Sequence, residues 1–430
     1  MHPPSPLTDA SPLVSELARR NRRRWWLAAG IALTAMTIMG LIYGAACWRG
    51  HALLSQEMEK IAARGEPVWY ADLAQRPTDP AVVRGRAIAA AARRFDLVLY
   101  EPFEEAIASP GSPTVQAKVR PMIDMHRATI DQIVGQLRQG ECRSDYDFQT
   151  PAPLSTRLPT VQNTRMVARI LAADFRLRAA QGERDQALAA LTDAFELDEM
   201  LRHEPFAVSQ YVRVAVAGYA LDDLQIALGQ GWIDEHRHEE LDARLVEMES
   251  RFRLAPVLRG ERAAMLTMME NLGRSDISRA LEDFEGISST KAQVLNRWWG
   301  SWIYLPRRLH QEAIMLRTLG QMADLVDVPG PRAAERFADA DAEARDDDSP
   351  ICAEFSSHLG RLGQSGMAHR QRLLAARLAL AVCRFRELHG RLPDSLAELT
   401  DSPLAEAKGL ITGQPLVYLK TADGFVISDG

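Results

Sequence analysis

The 430-residue chain has only four cysteines and 7% aromatic residues. So few cysteines exclude a disulfide-built scaffold, which needs a short, cysteine-dense chain. Basic charge is not in excess either: 51 Lys and Arg stand against 57 Asp and Glu, a net charge of −6. A chain of that balance lacks the broad positive surface that grips nucleic acid, so no nucleic-acid partner is expected. Compositional bias is missing too. With 47% hydrophobic and 25% charged side chains the chain is not collagenous, low-complexity or disordered, and it is long enough for two or three folded units. Long apolar runs are absent with one exception, which excludes a multi-span transporter.

Motifs that carry chemistry are as scarce. No Gly-x-x-x-x-Gly-Lys-Ser/Thr phosphate loop occurs, and the segment from Gly360 through Gly363 to Gly366 lacks the spacing of a dinucleotide fingerprint. Ser365 stands one residue short of a Gly-x-Ser-x-Gly nucleophile elbow, so the expectation there is a flexible glycine-rich turn. His236 and His238 are two apart and would diverge by about 200° on a helix. Glu235 and His238 form one Glu-x-x-His, but a di-iron bundle needs that motif twice. Residues 338–348 hold six acids against Arg345, yet Ala344 and Pro350 stand where a calcium loop needs Gly and Glu; a solvated linker is expected. The sequence therefore names no catalytic residue, no cofactor and no metal site.

The exception is sharp. Five arginines fall within residues 19–24, and the next 24 residues, Trp25 through Trp48, contain no Asp, Glu, Lys, Arg or His. As a helix this run would span roughly 36 Å, more than the roughly 30 Å of a hydrocarbon core. Arg22, Arg23 and Arg24 abut it, and Trp25, Trp26 and Trp48 mark its ends as interfacial anchors. The lipid bilayer is thus the first expected partner. Residues 49–64 carry only Arg49, Lys60 and Arg64 against Glu57 and Glu59, so the positive-inside rule places residues 1–24 in the cytoplasm and the body on the periplasmic side. The competing reading is a lipoprotein signal cleaved before Cys47. Gly44 stands where that cleavage box wants a large aliphatic residue, and the run exceeds the usual length of a signal's apolar region, so an uncleaved anchor is preferred.

Beyond the membrane the pattern is helical and predicts a mostly α fold: an antiparallel helical bundle or α-solenoid body, then a small helix and β-hairpin module. The expected division is 1–24 basic tail, 25–48 transmembrane helix, 49–160 stalk and first helical segment, 161–337 helical hairpin body, 338–366 linker and 367–430 tail. Residues 82–100 place Val83, Ala87, Ala90, Ala91 and Phe95 near one face, and 115–137 carry Met122, Met125, Ile130, Ile133 and Val134. From 164 to 272 apolar residues recur at helical spacing, punctuated by Gly182, by His203-Glu204-Pro205 and by Gly229-Gln230-Gly231. Residues 182–198, with Ala187, Leu188, Leu191, Ala194 and Leu197, resemble the second half of a tetratricopeptide repeat, although no second copy follows.

The C-terminal residues carry the broadest resemblance. Residues 372–388 form an amphipathic pattern with Leu374, Leu378, Ala381 and Phe385, closed by His389-Gly390. Residues 392–399 predict a second short helix capped by Asp394 or Ser395, and the strand-like Val417-Tyr418-Leu419 and Phe425-Val426-Ile427 flank an Asp423-Gly424 turn signal. The run from Ala379 to Pro393, followed by Thr412 to Tyr418, resembles the helix-loop-hairpin of type II secretion pseudopilins. It is also similar to the tails of uncharacterised single-pass bacterial membrane proteins, in which an anchor, a helical middle and such a tail come in the same order. In the pseudopilin version an Asp-Pro pair precedes Gly-x-Pro-Leu; here Gly409-Leu410-Ile411 takes that place.

Trp298, Trp299, Trp302 and Tyr304 form the densest aromatic cluster and the candidate interaction surface. It can serve core packing, contact with the membrane interface, or stacking on a cell-wall glycan. Cys142, Cys352 and Cys383 lie outside the apolar run and would allow one disulfide in an oxidising compartment. Together these features point to a non-enzymatic, membrane-anchored scaffold or adaptor with protein partners. Two alternatives stay open: an envelope hydrolase with a site assembled from distant residues, and an accessory component of a secretion-type machine.

Overall fold

The computed structural model describes residues 12–95, 100–150, 153, 158–271, 301–328, 330–346, 350–399, 403–410, 412–421 and 424–428. It is mostly helical, with one two-stranded antiparallel sheet at the C-terminal end. Helix α1 (Pro12–Ala63) runs unbroken from the basic residues through the apolar run and past Trp48. It is long and apolar enough to cross a membrane, and its most apolar stretch is not buried against the body. Helices α2 (Pro80–Ala92), α3 (Glu101–Ala108), α4 (Pro113–Leu137), α5 (Pro159–Gln181), α6 (Arg184–Glu196), the single turn α7 (Asp198–Leu201), α8 (Ala207–Gly229), α9 (Glu235–Arg251) and α10 (Ala255–Asn271) follow. Then come α11 (Leu305–Leu325), α12 (Pro331–Asp346), α13 (Pro350–His389) and the strands β1 (Val417–Thr421) and β2 (Gly424–Ser428). Local chemistry starts several of them: the Asp79 side chain accepts the Ala81 N–H at 2.8 Å ahead of α2, and Asp234 accepts the Arg237 N–H at 3.1 Å ahead of α9.

Two apolar cores hold these helices. The first gathers Ile88 of α2, Ile130 and Ile133 of α4, Ile170 of α5, Leu191 of α6, Leu224 of α8 and Leu245 of α9. The second joins Ile61 at the end of α1 to Leu258 and Met269 of α10, Leu316 and Met322 of α11, Phe337 of α12 and Leu359 and Leu362 of α13. Helix α13 serves both. Its Leu373, Leu380 and Cys383 enter the first core, while Leu374, Leu378, Val382 and Phe385 on the other side meet Leu396, Leu404 and Leu416 of the tail. The amphipathic face expected from Leu374, Leu378 and Phe385 is therefore present, but a second apolar face ties that helix into the body.

Several expectations need correction. Residues 338–346 finish α12 and 350–366 open α13, so the described residues of the expected linker are helical. Phe337 and Ala340 bury one side of α12 while Asp339 stays exposed, so the acidic run begins inside a helix. The glycine-rich segment at 360–366 is likewise helix interior. A Cβ on Gly363 would lie 2.6 Å from the Phe337 ring, and one on Gly366 2.4 Å from Leu254 Cδ1, so these glycines permit close helix contact and do not form a turn. Of the face expected at 82–100, Ala91 and Phe95 are buried, but Val83 and Ala90 turn to solvent while Val82, Gly85 and Ile88 face inward, and Met125 on α4 is exposed. The short helix expected at 392–399 is a 3-10 turn over Leu396–Glu398. Ser395 makes no capping bond there, and the Asp394 carboxylate takes Lys420 at 2.9 Å. The hairpin stands as expected: Thr421 pairs with Gly424, Tyr418 with Ile427 and Leu419 with Val426. Gly390 has φ +67°, the left-handed position expected after α13. Cys142 and Cys383 are buried free thiols, and the Cys352 side chain lies outside the described residues.

The two cores meet at a buried cluster of charge around Phe252. Arg213 of α8, 1% exposed, grips Asp198 of α7 with two bonds of 2.7 Å and stands 5.1 Å from the Phe252 ring centre. Arg370 of α13 stands over the same ring at 5.6 Å, donates to the Phe252 carbonyl at 2.8 Å, and pairs with Asp327. Asp327 in turn accepts the Leu254 and Ala255 N–H groups at 2.9 Å, capping α10. Burial alone would raise the Asp198 carboxyl, but Arg213 outweighs it and holds the group below its ordinary value. Removing one partner strands the other's charge. Asp198→Ala should cost about 3–5 kcal/mol in urea unfolding of the detergent-solubilised chain, while Asp198→Leu with Arg213→Met should recover most of that loss. Equal losses in the single and double variants would refute the pairing argument.

Candidate functional site

Two regions stand out, one beside the apolar helix and one deep in the body. Arg22, Arg23, Arg24, Trp25, Trp26 and Trp48 all project from α1 fully exposed. Past Trp48, α1 is clamped to α11: Glu57 accepts Arg317 at 2.9 Å and Lys60 at 3.0 Å, and Arg64 bonds Asp324 at 3.1 Å. Inside the apolar run, the Tyr43 hydroxyl donates to the Trp302 carbonyl, and the two rings meet edge-on with centres 5.7 Å apart. Trp302 is nonetheless 71% exposed and Ile303 68%. Tyr304 parts from them: it packs on the second core and its hydroxyl bonds Gln311 at 2.8 Å. Trp298 and Trp299 lie outside the described residues.

The second region is a cleft of about 640 Å³ that no motif announced. Its walls are the turn after α1, the loop after α4, the turn between α7 and α8, and the link from α9 into α10. Two glycines let these pieces close up. A Cβ on Gly85 would lie 2.0 Å from the Arg143 carbonyl oxygen, and one on Gly260 2.6 Å from the Pro205 carbonyl oxygen, so only glycine fits at either contact. The loop is further pinned by the Arg143 N–H donating to the Ala81 carbonyl at 3.1 Å.

Glu204 forms the cleft floor and is 3% exposed. The Ser144 hydroxyl donates to one of its oxygens, and Ser144 also lies 3.2 Å from the Thr160 hydroxyl. The other Glu204 oxygen and the Tyr146 hydroxyl are buried, and Tyr146 is a second hydrogen-bond partner of the Glu204 carboxyl. Burial pushes Glu204 up to about 7 against the opposing hydrogen bond from Ser144, and pushes the neighbouring Cys142 thiol up to about 12. Glu199, beside the cleft, goes the other way: burial would raise it, but His203 and Arg202 together hold it below its ordinary value. With its value raised to about 7, Glu204 holds or releases a proton near neutral pH. Among the described residues no group of three or more His, Cys, Asp or Glu is placed to hold a metal.

Compared with protein-family profiles, curated proteins and solved structures, the chain matches none. The sequence did punctuate the chain at His203-Glu204-Pro205, but as a turn. The local signals for the cleft were Gly85 and Gly260, glycines inside helical patterns, and they showed a close contact without showing with what.

Glu204 links the cleft to pH. Its folded value of about 7 exceeds the ordinary 4.5, so its stabilising contribution is complete below 4.5 and is lost as pH rises through 7. Glu204→Gln removes this dependence. Thermal melts should show the variant gaining on the parent between pH 5 and pH 8, by at most roughly 3 kcal/mol. A constant offset across that range would contradict a buried, protonated Glu204.

Proposed function

We propose that the chain is a single-pass protein of a bacterial inner membrane. In this reading residues 25–48 span the bilayer, Arg22, Arg23 and Arg24 lie in the cytoplasm, and the body stands on the periplasmic side as a scaffold or adaptor. The observation that carries the reading is the unbroken α1, apolar and uncovered in its first half and clamped to α11 in its second. One rigid helix then sets the body's height and orientation over the membrane, which is what a positioning protein requires. Trp302 and Ile303, tied to Tyr43, sit beside the apolar run and suit the membrane interface. The body is best described as an antiparallel bundle. Helix α13 enters both cores, whereas in a solenoid each unit touches only its neighbours.

The tail offers the docking face of this adaptor. Val417, Leu419 and Val426 are exposed on the outer face of the hairpin, with Leu419 directly opposite Val426, while Tyr418, Phe425 and Ile427 face the tail core. A two-stranded sheet has two free edges, and apolar side chains beside such edges invite a partner strand. This supports protein partners, and it is where an accessory role in a secretion-type machine would reside. In spheroplasts, external protease should digest the body and spare an N-terminal epitope tag. Crosslinking in membranes should capture a partner that Leu419→Asp with Val426→Lys reduces at least about fivefold, with unchanged melting of the isolated chain. Digestion of the tag, or capture that ignores the hairpin changes, would sink the proposal.

The hydrolase reading draws on one observation, the Glu204 carboxyl bonded to Ser144 inside a cleft. Turnover of cell-wall glycan fragments by the full chain, abolished by Glu204→Gln, would establish it; the absence of turnover in the parent chain would dismiss it.

A further inference from the structure

The cleft gathers arginines in a chain whose overall charge is negative. The chain carries −6 overall. Yet the cleft is lined by Arg64, Arg143, Arg202, Arg251, Arg253 and Arg259, against the carboxylates of Glu66 and Glu204 alone. These arginines come from four separate stretches of chain, so their convergence is a product of the fold.

Most of them are held by groups at the cleft's edge. Arg64 bonds Asp324 at 3.1 Å, Arg202 bonds Glu199 at 3.1 Å, and Arg259 lies 3.1 Å from Glu66. Arg251 pairs with Glu247, and Arg143 donates to Gln75 at 2.8 Å with Glu141 at 3.6 Å. A guanidinium has five N–H donors in a planar fork, so one such partner orients the fork without exhausting it. Arg253 has no ion-pair partner among the described residues, and the Arg143 Nε is buried without a hydrogen-bond partner. The Tyr146 hydroxyl and the Glu204 carboxyl, which also line the cleft, bond to each other. One unpaired guanidinium, Arg253, together with the spare N–H donors of the oriented arginines around one volume, is the complement of an oxyanion.

Size and walls narrow the class. A cleft of about 640 Å³ falls within the range of small-molecule sites. Leu73, Phe148, Pro205 and Val257 add an apolar side that a bare ion would leave unused. Phosphate presents several acceptor oxygens to more than one arginine fork, which suits converging guanidinium donors better than a single carboxylate does. We propose that the cleft binds a small phosphate monoester, its phosphate held between the arginine forks and its organic part resting on the Leu73–Phe148 side.

The test is calorimetric titration of the full chain in neutral-lipid nanodiscs at fixed ionic strength, with inorganic phosphate, glycerol 3-phosphate and sodium chloride as probes. Glycerol 3-phosphate should bind more tightly than inorganic phosphate, chloride should give no saturable heat, and affinity should fall as salt rises. Arg253→Glu, at an exposed unpaired position, should weaken binding at least about tenfold while the ligand-free melting temperature stays unchanged; Arg143→Gln should do the same. Arg386→Ala, in a different groove, should leave binding intact. Saturable binding only when nanodiscs contain phosphatidylglycerol would replace a soluble ester by a lipid headgroup and overturn the proposal. So would no saturable heat with either phosphate, or affinities unchanged in both cleft variants.

Discussion

Arg213 is the constraint around which the structure is arranged. A guanidinium 1% exposed in a protein interior needs a counter-charge and filled donor positions. Asp198 supplies the charge from the preceding turn, and the Phe252 ring supplies a face. Phe252 is then shared with Arg370 and with His369, whose ring centre lies 4.7 Å away. Through Asp327 the cluster reaches the start of α10 and the end of α11. Elements far apart in sequence are locked where the two apolar cores touch, and an error in any of them would leave a charge buried alone.

The same constraint aims the cleft. Residues 251–254 alternate outward and inward: Arg251 and Arg253 are exposed, Phe252 and Leu254 buried. Phe252 has extended backbone angles, for which successive side chains point to opposite sides. Holding Phe252 in the interior therefore turns its two arginine neighbours out toward the cleft. The buried Phe252 and the cleft-lining arginines alternate one residue apart along the chain.

Buried ionisable groups set opposing pH trends. Glu204, Asp223, Glu261 and Glu312 are each pushed up to about 7, chiefly by burial, and their contribution fades as pH rises through that value. His369 is pushed down to about 4, again chiefly by burial. Its neutral form is the one that fits, so its contribution is complete above the ordinary 6.5 and is lost as pH falls toward 4. Acids on one side and a histidine on the other limit the range in which the interior is comfortable.

Periodic features were legible in the amino-acid order because they are local. The charge-free run from Trp25 to Trp48, the apolar face of Leu374, Leu378 and Phe385, and the hairpin around Asp423-Gly424 each follow from neighbours a few residues apart. Composition misled where it was taken as a sign of missing structure. Asp339 lies on the exposed side of a helix, and Gly363 and Gly366 make room for Phe337 and Leu254, contacts across chain separations no local pattern records. The cleft was hidden for the same reason. Arg64, Arg143, Arg202 and Arg253 look like ordinary surface cations in sequence, and Glu204 looks like part of a turn. Hydrophobic periodicity by itself determined that this is a helical protein with one helix long and apolar enough for a membrane. Only tertiary packing, through glycine contacts at Gly85 and Gly260 and the buried Arg213–Asp198 pair, decided which charges converge and which carboxyl loses its water.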